Sequence, residues 1–289
     1  MGQALRITSD RLMVEADCDG GVLHGGWTRQ GSPFLRPFAE GEGPAVLRAA
    51  CFPLVPVGNR VEHNGFDLDG RHWPFTPNTA GPWYLHGDGW LGPWQVEEHR
   101  ESLLRLSFQK NTPANSPHVY RAEQCFSLDG RMLRMAMEVT NLGQDTLPFG
   151  IGFHPYFPRT AGTRLLAPAL GWWAEGPDFL PAAEGPPPLE ADFNRLKPLP
   201  VRRLNNGYRG WSGMARIEWP ESGLAVDIAG DAVFSTCMIY APVEDRSFFC
   251  FEPMSHTPNA LASEGPQGLR LLAPGEQLAG SITLTISEP

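Results

Sequence analysis

Apolar side chains recur at every second position along much of this chain. In "LRMAMEV", Leu133, Met135, Met137 and Val139 fall on one face; "LAVDI" does the same with Leu224, Val226 and Ile228, and "ITLTI" with Ile282, Leu284 and Ile286. A period of two belongs to an extended strand with one face buried, so each run is read as a half-buried strand. Turn formers separate such runs: Asp19-Gly20-Gly21, Asp69-Gly70, Asp129-Gly130, Asn206-Gly207 and Glu221-Ser222-Gly223. No long amphipathic helix is visible, and 32 glycines with 29 prolines oppose one. The pattern predicts an all-β fold, a sandwich or barrel of many short strands.

The pattern breaks once, over "AEGPDFLPAAEGPPPLEADFNRLKPLP", residues 174–200. Strand-like segments flank the break on both sides, so it is expected to be a long irregular loop within one domain spanning 1–289. With 289 residues, 42% hydrophobic and 19% charged, the chain has ample material for a large core. The net charge of −9 without a lysine or arginine cluster argues against a nucleic-acid partner and leaves a small ligand as the expectation. No signal-peptide pattern opens the sequence, and no apolar run reaches the ~20 residues of a membrane span, so no membrane is expected. Five cysteines, Cys18, Cys51, Cys125, Cys237 and Cys250, include no C-x-x-C pair; reduced thiols in a cytoplasm are the expectation.

Four stretches hold polar residues that strand formation does not need. In "VGNRVEHNG", Asn59 and Arg60 follow an apolar run, and the arginine offers a planar fork of donors. In "WYLHGDGWLGPW", His86 precedes Gly87, and Trp83, Tyr84, Trp90 and Trp94 could stack on a sugar ring, although this stretch taken alone is better read as core aromatics with His86 satisfied by a backbone carbonyl. In "IGFHPYFP", Pro155 biases His154 toward extended backbone, and Tyr156 with Phe157 supplies a wall. In "FFCFEPMSHTPNAL", Glu252 interrupts an aromatic strand, where a carboxylate must be paired or used. His86, His154, Glu252 and His256 would suit a metal by type, but no pair has H-x-H spacing, and no metal site is expected. No G-x-S-x-G appears, which argues against a serine hydrolase.

Taken in order, "NRVEHNGFDLDGRHW", "LHG", "LDGRMLRMAMEVTNLGQDTLPFGIGFHPYF", "LNNGYRGWSG" and "FCFEPMSHTPNAL" make the sequence resemble the aldose 1-epimerase, or galactose mutarotase-like, family over nearly its whole length. The resemblance implies a large antiparallel β-sandwich of the galactose mutarotase-like type and an isomerase that interconverts α and β anomers of an aldose. It implies Glu252 as general base and His154 as general acid, with His86 and Arg60 holding the sugar; Asn59 and Tyr156 complete the expected contacts. Where the family often carries an aspartate, "LNNGY" places Asn205, which can both donate and accept to a hydroxyl.

The chemistry asks for these residue types. Ring opening removes a proton from the anomeric hydroxyl and delivers one to the ring oxygen; rotation about C1–C2 and the reverse transfers close the ring on its other face. A carboxylate of ordinary pKa ~4.3 is ionised at neutral pH and a histidine near ~6.5 can offer a proton, so no cofactor is expected. The resulting picture is a sugar held between Glu252 and His154. Two alternatives use the same fold class. A hexose 6-phosphate mutarotase would need cations at the rim, for which Arg60, Arg71, Arg121 and Arg209 are candidates. A non-catalytic carbohydrate-binding sandwich would need exposed aromatics and no buried base.

Overall fold

A computed structural model describes residues 5–39, 45–263, 265 and 267–288. Two large antiparallel sheets carry the architecture, confirming the all-β sandwich. The nine-stranded sheet runs, in spatial order, Gln95–Arg100, Leu103–Lys110, Tyr120–Asp129, Met132–Asn141, Gln277–Ser287, Leu224–Gly230, Met214–Trp219, Arg164–Leu166 and Lys197–Pro198. The eight-stranded sheet runs Pro181–Gly185, Gly171–Glu175, Leu204–Arg209, Thr236–Ala241, Phe248–Met254, Gly152–Phe153 and Pro53–Leu54, with Tyr156–Pro158 also pairing to Phe248–Met254. A further sheet of four strands lies within Leu5–Leu35. Among the described residues the only α-helix is Ala45–Arg48.

The alternating runs bury the faces their periods predict. Leu133, Met135, Met137 and Val139 are buried, as are Leu224, Val226 and Ile228, and Ile282, Leu284 and Ile286. They meet Ile239, Phe249, Phe251 and Phe153 from the other sheet in one apolar cluster, the interdigitated core of a sandwich. Asp69-Gly70 and Asp129-Gly130 turn hairpins, with left-handed φ of 52° and 76° at Asp69 and Gly70.

Two expectations are corrected. Asn206-Gly207 is not a turn but lies inside Leu204–Arg209, where Asn206 Nδ2 donates to the Trp173 carbonyl; tertiary pairing overrides the local turn preference. Residues 174–200 are not uniformly irregular. Gly171–Glu175 and Pro181–Gly185 form a hairpin at the edge of the eight-stranded sheet, Leu189–Ala191 is a 3-10 turn and Lys197–Pro198 a short strand, while 186–188, 192–196 and 199–200 stay outside regular structure. Proline is tolerated there because an edge strand has donors to spare.

Candidate active site

Strand alternation delivers the glutamate. On Phe248–Met254, Phe249 and Phe251 enter the core between the sheets, which leaves Cys250, Glu252 and Met254 on the outer face. Register places Met238 opposite Glu252 and Asn205 opposite Tyr240, so the same parity sets Asn205, Tyr240 and Met238 on Glu252's face. Gly152–Phe153 and Tyr156–Pro158 both pair with the glutamate strand, and His154, between them, donates its backbone N–H to the Phe52 carbonyl at 3.0 Å.

The third wall comes from Arg60–Val61 paired with Tyr84–Leu85. The His86 N–H donates to the Asn59 carbonyl at 2.9 Å, and the Asn59 N–H donates to His86 Nδ1 at 3.1 Å. With Nδ1 accepting, the ring proton of neutral His86 sits on Nε2. Both residues hold left-handed backbone, and at Gly87 (φ 77°) a Cβ would lie 2.1 Å from the Val55 carbonyl oxygen. Glycine is therefore required beside His86.

Six of the seven residues expected from the sequence, Glu252, His154, Arg60, His86, Asn205 and Asn59, line one cavity of about 270 Å³. Tyr156 does not. Its ring packs on His154 at 4.9 Å between centroids, away from the cavity lining. Trp90 and Trp94 are also scaffold: both are buried, and their indole N–H groups donate to the Gly87 and Gly89 carbonyls. Trp83 and Tyr84 do not line the cavity either.

His154 Nε2 and Glu252 Oε1 are 3.2 Å apart, with the residues 6% and 3% exposed. They touch directly and do not face each other across a substrate-wide gap. Burial pushes the Glu252 carboxyl up to about 8, against the opposing pull of Arg60. Burial pulls His154 down to about 3; its own backbone opposes this and Arg36 adds to it. At neutral pH the proton therefore rests on Glu252 and the imidazole is neutral, the reverse of the assignment drawn from unperturbed values. His86 is likewise driven well below its ordinary value, first by burial and then by His154 and Arg60.

Four cavity residues escaped the sequence reading: Arg203, Phe179, Met238 and Tyr240. The last two were accessible through the alternation of "TCMIYA" once Asn205 and Glu252 were placed. Arg203 Nη1 binds both Glu175 oxygens at 2.6 and 2.7 Å, and Asn205 Nδ2 donates to Glu175 Oε1 at 2.7 Å. Glu175 thus takes one N–H of the Asn205 amide, which fixes the orientation of the group and leaves its carbonyl oxygen as an acceptor. Phe179, at the hairpin tip, lies within 5.0 Å of Arg60 and 4.9 Å of Arg203 as a cation–π partner of both.

The other candidates lie elsewhere. Arg71 pairs with Asp145, Arg121 with Glu97 and Glu123, and Arg209 with Glu184; none lines the cavity. His256 accepts from the Gly58 N–H at Nε2 and contacts the Thr257 carbonyl through Nδ1, a satisfied structural histidine. The five cysteines are free thiols. His154, Cys250 and Glu252 bring donor atoms within 4.8 Å of one another and are the set that could hold a metal among the described residues.

The aldose 1-epimerase family profile matches residues 6–285. YphB of Escherichia coli K12, a protein of uncharacterised function, is 41% identical over 288 residues, covering 95% of this chain and 96% of its own. A crystal structure from Escherichia coli K12 superposes with a TM-score of 0.93 at 38% identity, covering 99% of both chains. A galactose mutarotase-like protein from Clostridium acetobutylicum shares the fold at a TM-score of 0.86 and 18% identity, covering 98% of this chain and 95% of its own. Match along nearly the whole sequence, together with the sandwich and its glutamate–histidine cavity, places this chain in the aldose 1-epimerase family.

Proposed function

We propose that the protein interconverts the α and β anomers of a free, uncharged aldose, with Glu252 and His154 exchanging protons with the sugar. The observation that carries this reading is the buried His154–Glu252 contact on the cavity wall. Beyond the N–H of the neutral imidazole, the pair shares one transferable proton, which rests on Glu252 before a sugar binds. Its transfer to His154 yields a carboxylate and an imidazolium together, and the Arg60 charge already favours the carboxylate.

Glu252 then takes the proton of the anomeric hydroxyl as His154 gives one to the ring oxygen. The C1–O5 bond breaks and C1=O1 forms. After rotation about C1–C2, the O5 hydroxyl attacks the other face of C1, returns its proton to His154, and O1 recovers a proton from Glu252. O1 and O5 are both bonded to C1, so a base and an acid in mutual contact suit the two transfers better than groups set far apart. His86 offers an Nε2–H to a hydroxyl and Asn205 its carbonyl oxygen.

The preference for a neutral sugar rests on the balance of charges. Arg203 is paired with Glu175, and Arg71, Arg121 and Arg209 are engaged outside the cavity. Arg60 is left as the one lining cation without an ion pair among the described residues, the group a phosphorylated sugar would have to use. Anomer exchange, followed by NMR or polarimetry from pure α-glucose and α-galactose, tests the reading. Wild type is expected to accelerate exchange, EDTA to leave the rate unchanged, and Glu252→Gln or His154→Asn each to lose about 10²–10⁴. Wild-type turnover in either variant would remove that residue from the mechanism. Sugar binding without acceleration would make the cavity a recognition site alone.

A further inference from the structure

We infer that Arg36 is a positioning residue for His154, acting through Tyr156 and through the segment that carries Phe52. The inference rests on the mutarotase reading for its effect on turnover and on geometry for everything else.

Arg36 is 8% exposed and its Nε is buried without a hydrogen-bond partner. Its Nη2 donates to the Leu47 and Ala49 carbonyls at 3.0 and 2.5 Å, and its guanidinium carbon lies 3.9 Å from the Tyr156 ring centre and 4.6 Å from that of Phe248. Asp245 acts on it through space, with no ion pair among the described residues. A buried cation held by carbonyls and aromatic faces is a costly arrangement that stability alone does not call for.

Its partners explain where it stands. The Arg36 backbone N–H donates to the Tyr156 carbonyl at 2.8 Å, the Tyr156 N–H to the Ala50 carbonyl at 2.8 Å, and the His154 N–H to the Phe52 carbonyl at 3.0 Å. One arginine therefore ties the 47–52 segment to the His154–Tyr156 segment by both backbone and side chain. The His154 ring rests on the two rings those segments present, Phe52 at 4.2 Å and Tyr156 at 4.9 Å, each within 26° of parallel. Phe52 and Tyr156 also contact each other at 6.2 Å, so they form one platform beneath the imidazole. Arg36 lies over the Tyr156 ring of that platform, outside the cavity lining, and its charge opposes protonation of the His154 ring.

The titratable and charged groups around His154 come from several elements: Glu252 and Cys250 on the glutamate strand, His86 at 5.3 Å, Cys51 beside the His154 backbone, Tyr156 on its own segment, and Arg60 acting on Glu252 and His86. Arg36 is the charge among them that touches the platform and not the cavity.

The test joins ¹⁵N NMR of the histidine rings, with His154 assigned by its loss in His154→Asn, to anomer-exchange kinetics. Arg36→Gln keeps a donor for the Ala49 carbonyl and removes the charge. Its His154 should take up a proton at higher pH than in wild type, and kcat should fall about tenfold to a hundredfold with little change in KM. Arg36→Lys keeps the charge and loses the planar fork, so His154 should stay neutral as in wild type while kcat falls less; it also serves if Arg36→Gln does not fold. His154 signatures and kcat within about twofold of wild type in the folded variants overturn the inference. So does an activity loss in Arg36→Gln with an unmoved His154 titration, because a purely structural role gives that result. A wild type that fails to accelerate exchange defeats the mutarotase reading, yet the NMR arm still decides the role of Arg36.

Discussion

A buried carboxyl and a buried imidazole in contact respond to pH in opposite senses. Glu252 sits at about 8 in the folded chain against an ordinary 4.5. Below 4.5 both folded and unfolded states hold its proton and stability is full; from there up to about 8 only the unfolded chain ionises, so stability falls as pH rises, by at most about 1.4 kcal/mol per pH unit. Glu252→Gln should remove that decline and gain on wild type toward pH 8, as read by urea unfolding across the range. His154, at about 3 against 6.5, acts conversely: its contribution is present above 6.5 and lost as pH falls toward 3. His154→Asn should soften the acid loss in part, since His86, His118 and His256 are lowered in the same direction. The identities of both groups were legible from "HPYF" and "FEPM"; their protonation was not. Burial set those values, and burial is decided by Phe52, Tyr156 and Cys250, which lie far from one another in sequence.

The edge hairpin Gly171–Glu175 and Pro181–Gly185 shows what an element adds to the site. It brings Glu175 against Arg203 and Asn205 and holds Phe179, 49% exposed, at the cavity mouth. Asn205→Asp would set a second carboxylate where a 2.7 Å donor contact with Glu175 now stands. Alone it should raise KM and lower the melting temperature; combined with Glu175→Gln it should recover both, with a coupling of about 0.5–3 kcal/mol between the two sites. Additive losses in the double variant would mean that Glu175 does not govern position 205. Long strands such as Met132–Asn141 could be read from alternation because one face is uniformly buried. This hairpin could not: Pro177, Pro181 and Gly185 break the period, and its pairing to Leu204–Arg209 supplies the order that its own residues lack.

Across the whole molecule, the cost of a substitution should follow the sandwich core and not the strand pattern alone. Leu284 is fully buried between the sheets and Leu271 is 53% exposed, though both lie on strands. Leu284→Ala should cost about 2–5 kcal/mol and Leu271→Ala within about 0.5 kcal/mol of nothing, measured by denaturant unfolding. The fold class was visible in the sequence because it needs only the period of two; the order of strands was not, because register depends on partners distant in the chain. Gln277–Ser287 illustrates this, seated between Met132–Asn141 and Leu224–Gly230 in the middle of the nine-stranded sheet. Until residues 277–287 have left the ribosome, those two strands each present a bare hydrogen-bonding edge beside an apolar face, the kind of surface that captures other chains. Newly made protein is thus exposed to aggregation until this strand has emerged and paired, and its yield should respond to growth temperature and to the supply of chaperones that shield such edges.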